Sequence, residues 1–212
     1  MRLALLALAV LFTSSLAAQD KAKDKQPDDK KKEEKKAAPA FDFPLKVGAT
    51  WIYRVGENTY TTKLTKFEPV GKTECARLDM TINGKAASFE HVAIGTDKDG
   101  VSSVMRYTFE GKQASPPITF LQLPADKTSW RVESKLDGQT LKGTFRKTEE
   151  DVKVPAGDYK KAVKVSSDGL KVNNVDLTVT WWFVSGVGLV KQEADLAGQR
   201  VIIELEKYEP GK

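Results

Sequence analysis

Few side chains in this sequence of 212 residues could perform acid, base or nucleophilic chemistry. His91 is the only imidazole and Cys75 the only thiol, and no Gly-x-Ser-x-Gly motif presents a nucleophilic serine. His91 shares a predicted strand face with Phe89 and Ala93, a pattern typical of a packed structural histidine. Zinc sites draw on several His, Cys or carboxylate ligands. The sequence therefore predicts no catalytic residue, no metal site and no cofactor, so we expect a protein that is not an enzyme.

Carboxylates offer the remaining candidates for acid and base chemistry. They form an acidic run at residues 149–151 and a pair at Glu204 and Glu206. The pair alternates with apolar residues, as expected on the solvated face of a strand. Residues 97–100 (Asp-Lys-Asp-Gly) resemble a fragment of a calcium loop, but the terminal Glu of such loops is missing. We expect a hairpin turn there.

Two adjacent tryptophans are more suggestive of binding. Trp181 and Trp182 lie in one predicted strand and point to opposite faces, so Trp181 joins the core while Trp182 shares a face with Thr180. Trp182 then needs a cover, which residues 111–128 or residues 41–45 could supply. Otherwise it lies in a groove for an apolar ligand, a glycan or a partner, since clustered exposed aromatics mark interaction surfaces.

Two further aromatic residues lie in the first predicted strand. Trp51 and Tyr53 are two positions apart and so share one face. They either line the same groove as Trp182 or fill the core. The predicted contacts to a ligand or partner are therefore Trp182, Trp51 and Tyr53.

The charge of the chain is concentrated outside its apolar part. The chain has 34 Lys and Arg against 29 Asp and Glu, but residues 19–40 alone hold eight Lys and six acids. Residues 41–212 carry 25 bases and 23 acids, a net charge of only +2. Nucleic-acid binding needs a basic face, so this balance argues against a nucleic-acid partner.

The first 40 residues predict export. Residues 1–18 have one cation, an apolar run at 3–12 and small residues before a cut after Ala17 or Ala18, the pattern of a cleaved signal peptide. The apolar run is too short to span a bilayer, so no transmembrane segment remains after cleavage. A bacterial lipoprotein would need Cys in place of Gln19. We therefore expect a secreted or periplasmic protein that is not a lipoprotein.

The segment that follows the leader is a charged linker. Residues 19–40 hold fourteen charges and no aromatic or β-branched residue, a composition that predicts disorder. It acts either as a solvated spacer or as a tether to an anionic envelope surface. In an exported chain, Cys75 is either a free, inert thiol or a bridge to another molecule.

Residues 41–212 predict a single all-β domain. Four turn pairs, at 83–84, 99–100, 137–138 and 168–169, separate runs in which apolar residues alternate with polar ones. These runs predict about eleven strands in an antiparallel meander. A sheet of that size must curl, so we expect a strongly curved sheet, a half-barrel or an open barrel. Residues 111–128, with three prolines, are expected to form an apolar loop that caps one edge.

Three motifs together resemble a known group. They are Phe-Pro-Leu at 43–45 leading to Trp51, Val-Pro-Ala-Gly-Asp-Tyr at 154–159, and Trp-Phe at 182–183 followed by Gly-Val-Gly-Leu-Val-Lys at 186–191. In this order they resemble exported bacterial proteins of the TapB-like or DUF3108-like group, whose function is unknown. The resemblance implies a curved antiparallel sheet and a cell-envelope location, without an established activity or cofactor.

Three functional hypotheses follow from the sequence. The leading one is an exported, non-enzymatic binding or scaffold module of the cell envelope, whose partner is an unknown apolar ligand or an envelope protein. The alternative is a structural or assembly subunit of an envelope or pilus apparatus that pairs through a strand edge. The third is a hydrolase of envelope material, which would depend on His91 or on the carboxylates at 149–151.

Overall fold

The computed structural model describes residues 41–123 and 128–212. The predicted leader (1–18) and linker (19–40) lie outside these residues. The described chain forms twelve strands: β1 Thr50–Val55, β2 Asn58–Val70, β3 Thr73–Ile82, β4 Lys85–Thr96, β5 Ser102–Phe109, β6 Lys112–Leu123, β7 Ser129–Leu136, β8 Gln139–Val154, β9 Gly157–Val172, β10 Val175–Val184, β11 Gly188–Leu196 and β12 Gln199–Glu209. No helix in this part of the chain is long and apolar enough to cross a membrane.

The strands form one closed antiparallel barrel in meander order. Each strand pairs with its neighbours in sequence, and β1 pairs with β12 through a register that begins with Thr50 opposite Glu209. The predicted all-β antiparallel meander is confirmed, with twelve strands in place of about eleven. The sheet closes completely, where the sequence predicted a half-barrel or an open barrel.

Strand β10 shows why the sequence forms a barrel with a distinct interior. Its residues alternate, and Leu177, Val179, Trp181 and Phe183 all line interior cavities. A strand places alternate side chains on opposite faces. The alternate apolar residues of β10 therefore form part of the apolar wall inside the barrel.

The main correction to the predicted elements concerns residues 111–128. Most of the expected loop is strand β6, Lys112–Leu123. On β5, Arg106 pairs with Ile118 and Thr108 with Gln113, so residues 114–117 of β6 form an irregularity that holds both prolines. Proline lacks the N–H that a regular ladder requires, and this irregularity accommodates it. The predicted loop residue Pro124 lies outside the described residues.

The turn pairs were only partly predicted. Asn83 and Gly84 (φ 49° and 75°) connect β3 to β4, and residues 137–138 connect β7 to β8 in the same way, as glycine-containing hairpin turns do. Asp168 and Gly169 lie inside β9, so the prediction of a turn there is wrong. Asp168 pairs with Thr144, and the register then shifts, so that Gly169 and Leu170 form a bulge opposite Gly143.

Strands β6 and β7 share the weakest join in the barrel. Their ladder contains only the pairs Ala114 with Leu136 and Ser115 with Lys135. Beyond these pairs, side chains donate to the carbonyl oxygens of β6: Ser134 Oγ to Pro116 at 2.6 Å, Trp130 Nε1 to Thr119 at 3.0 Å and Lys147 Nζ to Gln122 at 2.7 Å. These bonds give an acceptor role to three carbonyls on the side of β6 where the backbone ladder to β7 is missing.

Residues 41–45, here called the plug, pack against the barrel interior. The Phe43 ring lies 6.2 Å from that of Phe183 and 6.4 Å from that of Phe120. The plug is held by the β10 to β11 turn, where Gly186 N donates to Asp42 O at 2.7 Å. The segment therefore forms part of the interior surface.

Candidate functional site

The barrel interior contains a cavity of about 90 Å³ beside the plug. Its wall is mostly aromatic and aliphatic and draws on nine strands and the plug: Phe43, Leu45, Trp51, Tyr53, Tyr60, Thr62, Leu78, Met80, Glu90, Val92, Arg106, Phe120, Trp181, Phe183, Leu189, Gln192 and Ile203. About 10–15 Å³ of such space holds one water. The first cavity therefore has room for a molecule with on the order of six to nine times the bulk of water.

A second cavity of about 100 Å³ lies toward the β7 to β8 and β9 to β10 turns. Its wall is again apolar: Arg106, Ile118, Phe120, Leu136, Gln139, Leu141, Phe145, Leu170, Val172, Leu177, Val179 and Trp181. Arg106, Phe120 and Trp181 border both cavities. These three side chains form the partition that separates the two spaces.

Arg106, one of the three partition residues, forms an ion pair with Glu90 of the first cavity wall. Arg106 Nε donates to Glu90 Oε2 at 2.5 Å, and only 10% of the Glu90 side chain and 20% of the Arg106 side chain are exposed. Removing charges from water is costly unless they are paired. Each charge of this pair is therefore held in the barrel by the other.

Two phenols of the first cavity keep their protons. Burial raises the pKa of Tyr53 well above its ordinary value, and the neighbouring Tyr60 and Glu90 raise it further. Burial is also the main cause of the raised pKa of Tyr60. Tyr53 Oη donates to Leu189 O at 3.0 Å and Tyr60 Oη to Met80 Sδ at 2.7 Å. Both hydroxyl protons thus have protein acceptors.

Two buried glutamines have an atom without a partner. Gln192 is 3% exposed and lines the first cavity, and its Nε2 makes no hydrogen bond. Gln139 is 6% exposed and lines the second, and its Oε1 makes none. A buried polar atom left without a partner is costly. The wall of each cavity therefore includes a glutamine with an amide atom that has no protein partner.

The structure brings together two of the three predicted contact residues. Trp51 and Tyr53 both line the first cavity, and each is 4% exposed. Trp51 Nε1 donates to Val187 O at 2.6 Å, which fixes the indole against the β10 to β11 turn. These two residues therefore serve as wall and as core at once.

Trp182 lies apart from the other two and borders neither cavity. It is 6% exposed on the opposite face from Trp181, and its Nε1 donates to Glu150 Oε1 at 3.3 Å. Its cover differs from the one expected: the ammonium groups of Lys164 and Lys191 lie 5.4 Å and 5.3 Å from the ring centroid.

The chain matches no family model and no curated protein. Two solved structures are similar to it. A candidate lipoprotein from Parabacteroides distasonis is 12% identical, with a TM-score of 0.47 over 82% of this chain and 100% of its own. A candidate exported protein with a YmcC-like fold from Bacteroides fragilis is 12% identical, with a TM-score of 0.40 over 80% of this chain and 99% of its own. Membership of the TapB-like or DUF3108-like group stays a prediction.

His91 lies in a polar cluster away from both cavities. It is 7% exposed; its Nδ1 lies 2.5 Å from Thr108 Oγ1 and its Nε2 lies 2.8 Å from Glu68 Oε1. This order of hydroxyl, imidazole and carboxylate resembles a catalytic triad. Thr108 is only 5% exposed, however, and borders neither cavity. The arrangement cross-links β2, β4 and β5, and the hydroxyl in the position of the nucleophile belongs to a buried side chain.

Four of the five other candidate carboxylates, Glu150, Asp151, Glu204 and Glu206, form ion pairs. Glu150 and Asp151 bind Lys164 and Lys160, and Glu204 binds Arg54. In the 97–100 turn, Asp97 Oδ1 accepts the backbone amides of residues 99 and 101. Within residues 41–123 and 128–212, no three His, Cys, Asp or Glu side chains are grouped as metal ligands would be.

Cys75 is fully buried on β3. Burial raises the pKa of its thiol, which reduces the reactive thiolate fraction at neutral pH. A bridge to another molecule would require β3 to open, so the geometry favours the free, inert thiol.

The cluster around Glu68 should make stability depend on acid. Lys66 first, then His91 and Arg77, bind the charged carboxylate and lower the pKa of Glu68 to about 2. A depressed pKa contributes stability above the ordinary value near 4.5, and that contribution is lost as the pH falls toward 2. We expect Glu68→Gln to lower the melting temperature at pH 7, with the deficit narrowing below pH 4.5 and vanishing near pH 2.

Thermal melts from pH 7 to pH 2 measure this effect. Glu74→Gln, which changes an exposed carboxylate on β3, is the matched control and should run parallel to wild type. A Glu68→Gln deficit of constant size across this range would contradict the assignment.

Proposed function

We propose that the protein is an exported, non-catalytic barrel that binds a small apolar molecule in its interior. The observation that carries the proposal is the pair of apolar cavities inside the closed sheet, with walls of aromatic and aliphatic side chains. Small-molecule sites are typically concave and apolar with a few placed polar groups. Trp51 and Tyr53 are the contacts we assign to the ligand, and Trp181 takes the role that was predicted for Trp182.

Export is part of the same proposal and rests on the leader at residues 1–18. Cleavage before Gln19, where a lipoprotein would have Cys, would release the mature chain without a lipid anchor. The charged linker would then act as a spacer or as a tether at an anionic surface of the envelope. The site of cleavage is read directly from the mass of the mature protein.

The proposal is tested by native mass spectrometry of the mature protein from its own exported fraction. We expect a mass excess that disappears when the same sample is denatured. A clean monomer mass, together with discrete cross-linked adducts in intact cells, would instead favour the assembly-subunit hypothesis. The closed sheet counts against that hypothesis, because β1 and β12 pair with each other and leave no free edge strand in the described barrel.

The adjacent tryptophans provide a matched test of where the ligand binds. Trp181 borders both cavities and Trp182 neither. Ethylbenzene added to the protein should therefore change tryptophan emission. Trp181→Phe should remove about half of that change or more, because Trp181 borders both cavities whereas Trp51 borders only the first. Trp182→Phe should retain it. A response that is lost in Trp182→Phe and kept in Trp181→Phe would place binding on the outer face.

A further inference from the structure

We infer that the first cavity selects an uncharged apolar molecule that carries a hydrogen-bond acceptor, such as a carbonyl oxygen, and that Gln192 Nε2 binds that acceptor. This inference rests on the proposed function and specifies the class of ligand. It depends on two features of the wall: one buried donor without a partner, and one pair of charges that neutralise each other.

The orientation of the Gln192 amide is fixed by its neighbour. Trp181 Nε1 donates to Gln192 Oε1 at 2.9 Å, so the oxygen is the atom that faces the indole. The nitrogen is therefore left as the unpartnered atom in a side chain that is 3% exposed. A buried N–H without an acceptor is costly, and a ligand carbonyl in the first cavity would supply one.

Three other donors in the wall of the first cavity, the Trp51 indole and the Tyr53 and Tyr60 hydroxyls, are already occupied. Tyr53 and Tyr60 donate to Leu189 O and Met80 Sδ, and Trp51 donates to Val187 O. Their bonds would have to break before they could serve a ligand. Gln192 Nε2 has no hydrogen bond to break. Of these four donors, it is therefore the one that can bind a ligand acceptor without losing an existing bond.

The charges of the wall argue against a charged ligand. Among the residues that the structure describes, Glu90 and Arg106 are the only ionic side chains that border the first cavity, and they bind each other. A carboxylate ligand would bring a second negative charge beside Glu90, and an ammonium would bring one beside Arg106. Neither would find an uncompensated counter-charge, and a buried charge without one is strongly disfavoured.

Three small probes of similar size separate the parts of this inference. Ethylbenzene has no acceptor, acetophenone adds a neutral carbonyl, and benzoate carries a negative charge. By titration calorimetry with the full mature protein, acetophenone should bind about three to ten times more tightly than ethylbenzene, the effect of one neutral hydrogen bond. Benzoate should bind more weakly than both. If none of the probes binds, the proposed function itself fails.

Variants assign the preference to Gln192. Gln192→Met keeps the side-chain length and removes the donor, so acetophenone and ethylbenzene should then bind equally. Gln122→Met makes the same change at a residue that also has an unpartnered amide atom but borders neither cavity, so it is the control and should keep the preference. If Gln192→Met does not fold because Trp181 Nε1 loses its acceptor, Trp181→Phe with Gln192→Met replaces it, compared with Trp181→Phe alone. Equal binding of the two neutral probes to wild type, or a preference that survives loss of Gln192, would overturn the inference.

Discussion

Replacing Arg106 by Met should lower the free energy of unfolding by about 3–5 kcal/mol, the range measured when one partner of a buried ion pair is removed. The reason is the environment of its partner. Glu90 is 8% exposed and borders an apolar cavity, so the variant leaves a carboxylate without a counter-charge where water does not compensate it. Urea denaturation followed by circular dichroism measures the loss, with the slope of the transition checked for two-state behaviour.

Two controls separate the buried pair from ion pairs in general. The double variant Glu90→Leu with Arg106→Met removes both charges and should recover most of the stability, because an apolar pair often replaces a buried ion pair without loss. Arg54→Met breaks a pair with Glu204 on the outer face, where Arg54 is 50% exposed, and should cost at most about 1 kcal/mol. Equal losses in Arg106→Met and Arg54→Met would show that water reaches Glu90.

The second large effect is expected from a single methyl group. In Gly143→Ala, the new Cβ would lie 2.6 Å from Leu170 Cα, 2.9 Å from Leu170 N and 3.0 Å from Gly169 O. All three atoms belong to the β9 backbone, which can move only if the β8 to β9 ladder shifts. We expect a loss of about 3 kcal/mol, at the upper end of the cost of overpacking.

Gly95→Ala is the matched control for this substitution. Its Cβ would lie 2.8 Å from Met105 Cε, the end of a flexible side chain that can turn away. We expect a loss below about 1 kcal/mol, measured by the same urea denaturation. If the two alanine variants were equally stable, the close approach of β8 and β9 at Gly143 would not be a constraint on the fold.

The regular parts of the fold could be predicted because they depend on local signals. The alternation in β10 predicts a strand, and the Asn-Gly pair at 83–84 predicts a hairpin turn, each from a few consecutive residues. Pro116 and Pro117 predicted a loop, but strand β6 continues through both residues. The compensation comes from β7 side chains far along the chain, such as Ser134, whose hydroxyl binds Pro116 O, and no local pattern reveals such a partner.

Closure of the sheet also lay beyond the local pattern. A run of strands has the same alternation whether its ends meet or stay apart. In the structure β1 and β12 pair across the whole length of the domain, an outcome decided by twist and shear summed over twelve strands. The sequence could predict a strongly curved sheet. Whether that sheet closes depends on all the strands together and not on any local pattern.

The candidate site was predicted in part. Trp51 and Tyr53 were predicted either to line a groove or to fill the core, and both face the interior. Trp182 was predicted to share their groove, but it lies on the outer face beneath Lys164 and Lys191. Gln192 was missed, although it carries a signal: it alternates in β11 with Val190 and Ala194, which are both buried. A glutamine in the apolar phase of a strand indicates a polar group inside the barrel.

The join between β1 and β12 brings distant parts of the chain together. Lys212 N donates to Val47 O at 3.1 Å, so residues 47 and 212 are neighbours in space. A circular permutant that linked residue 212 to residue 41 and began at the 83–84 turn would retain every ladder of the barrel. The largest entropic cost of loop closure would then fall on a different strand pair. The β1 to β12 contact would become local in sequence, and the β3 to β4 pairing would become the long-range contact. The order of the strands in the chain is thus one of several that could encode the same closed ring.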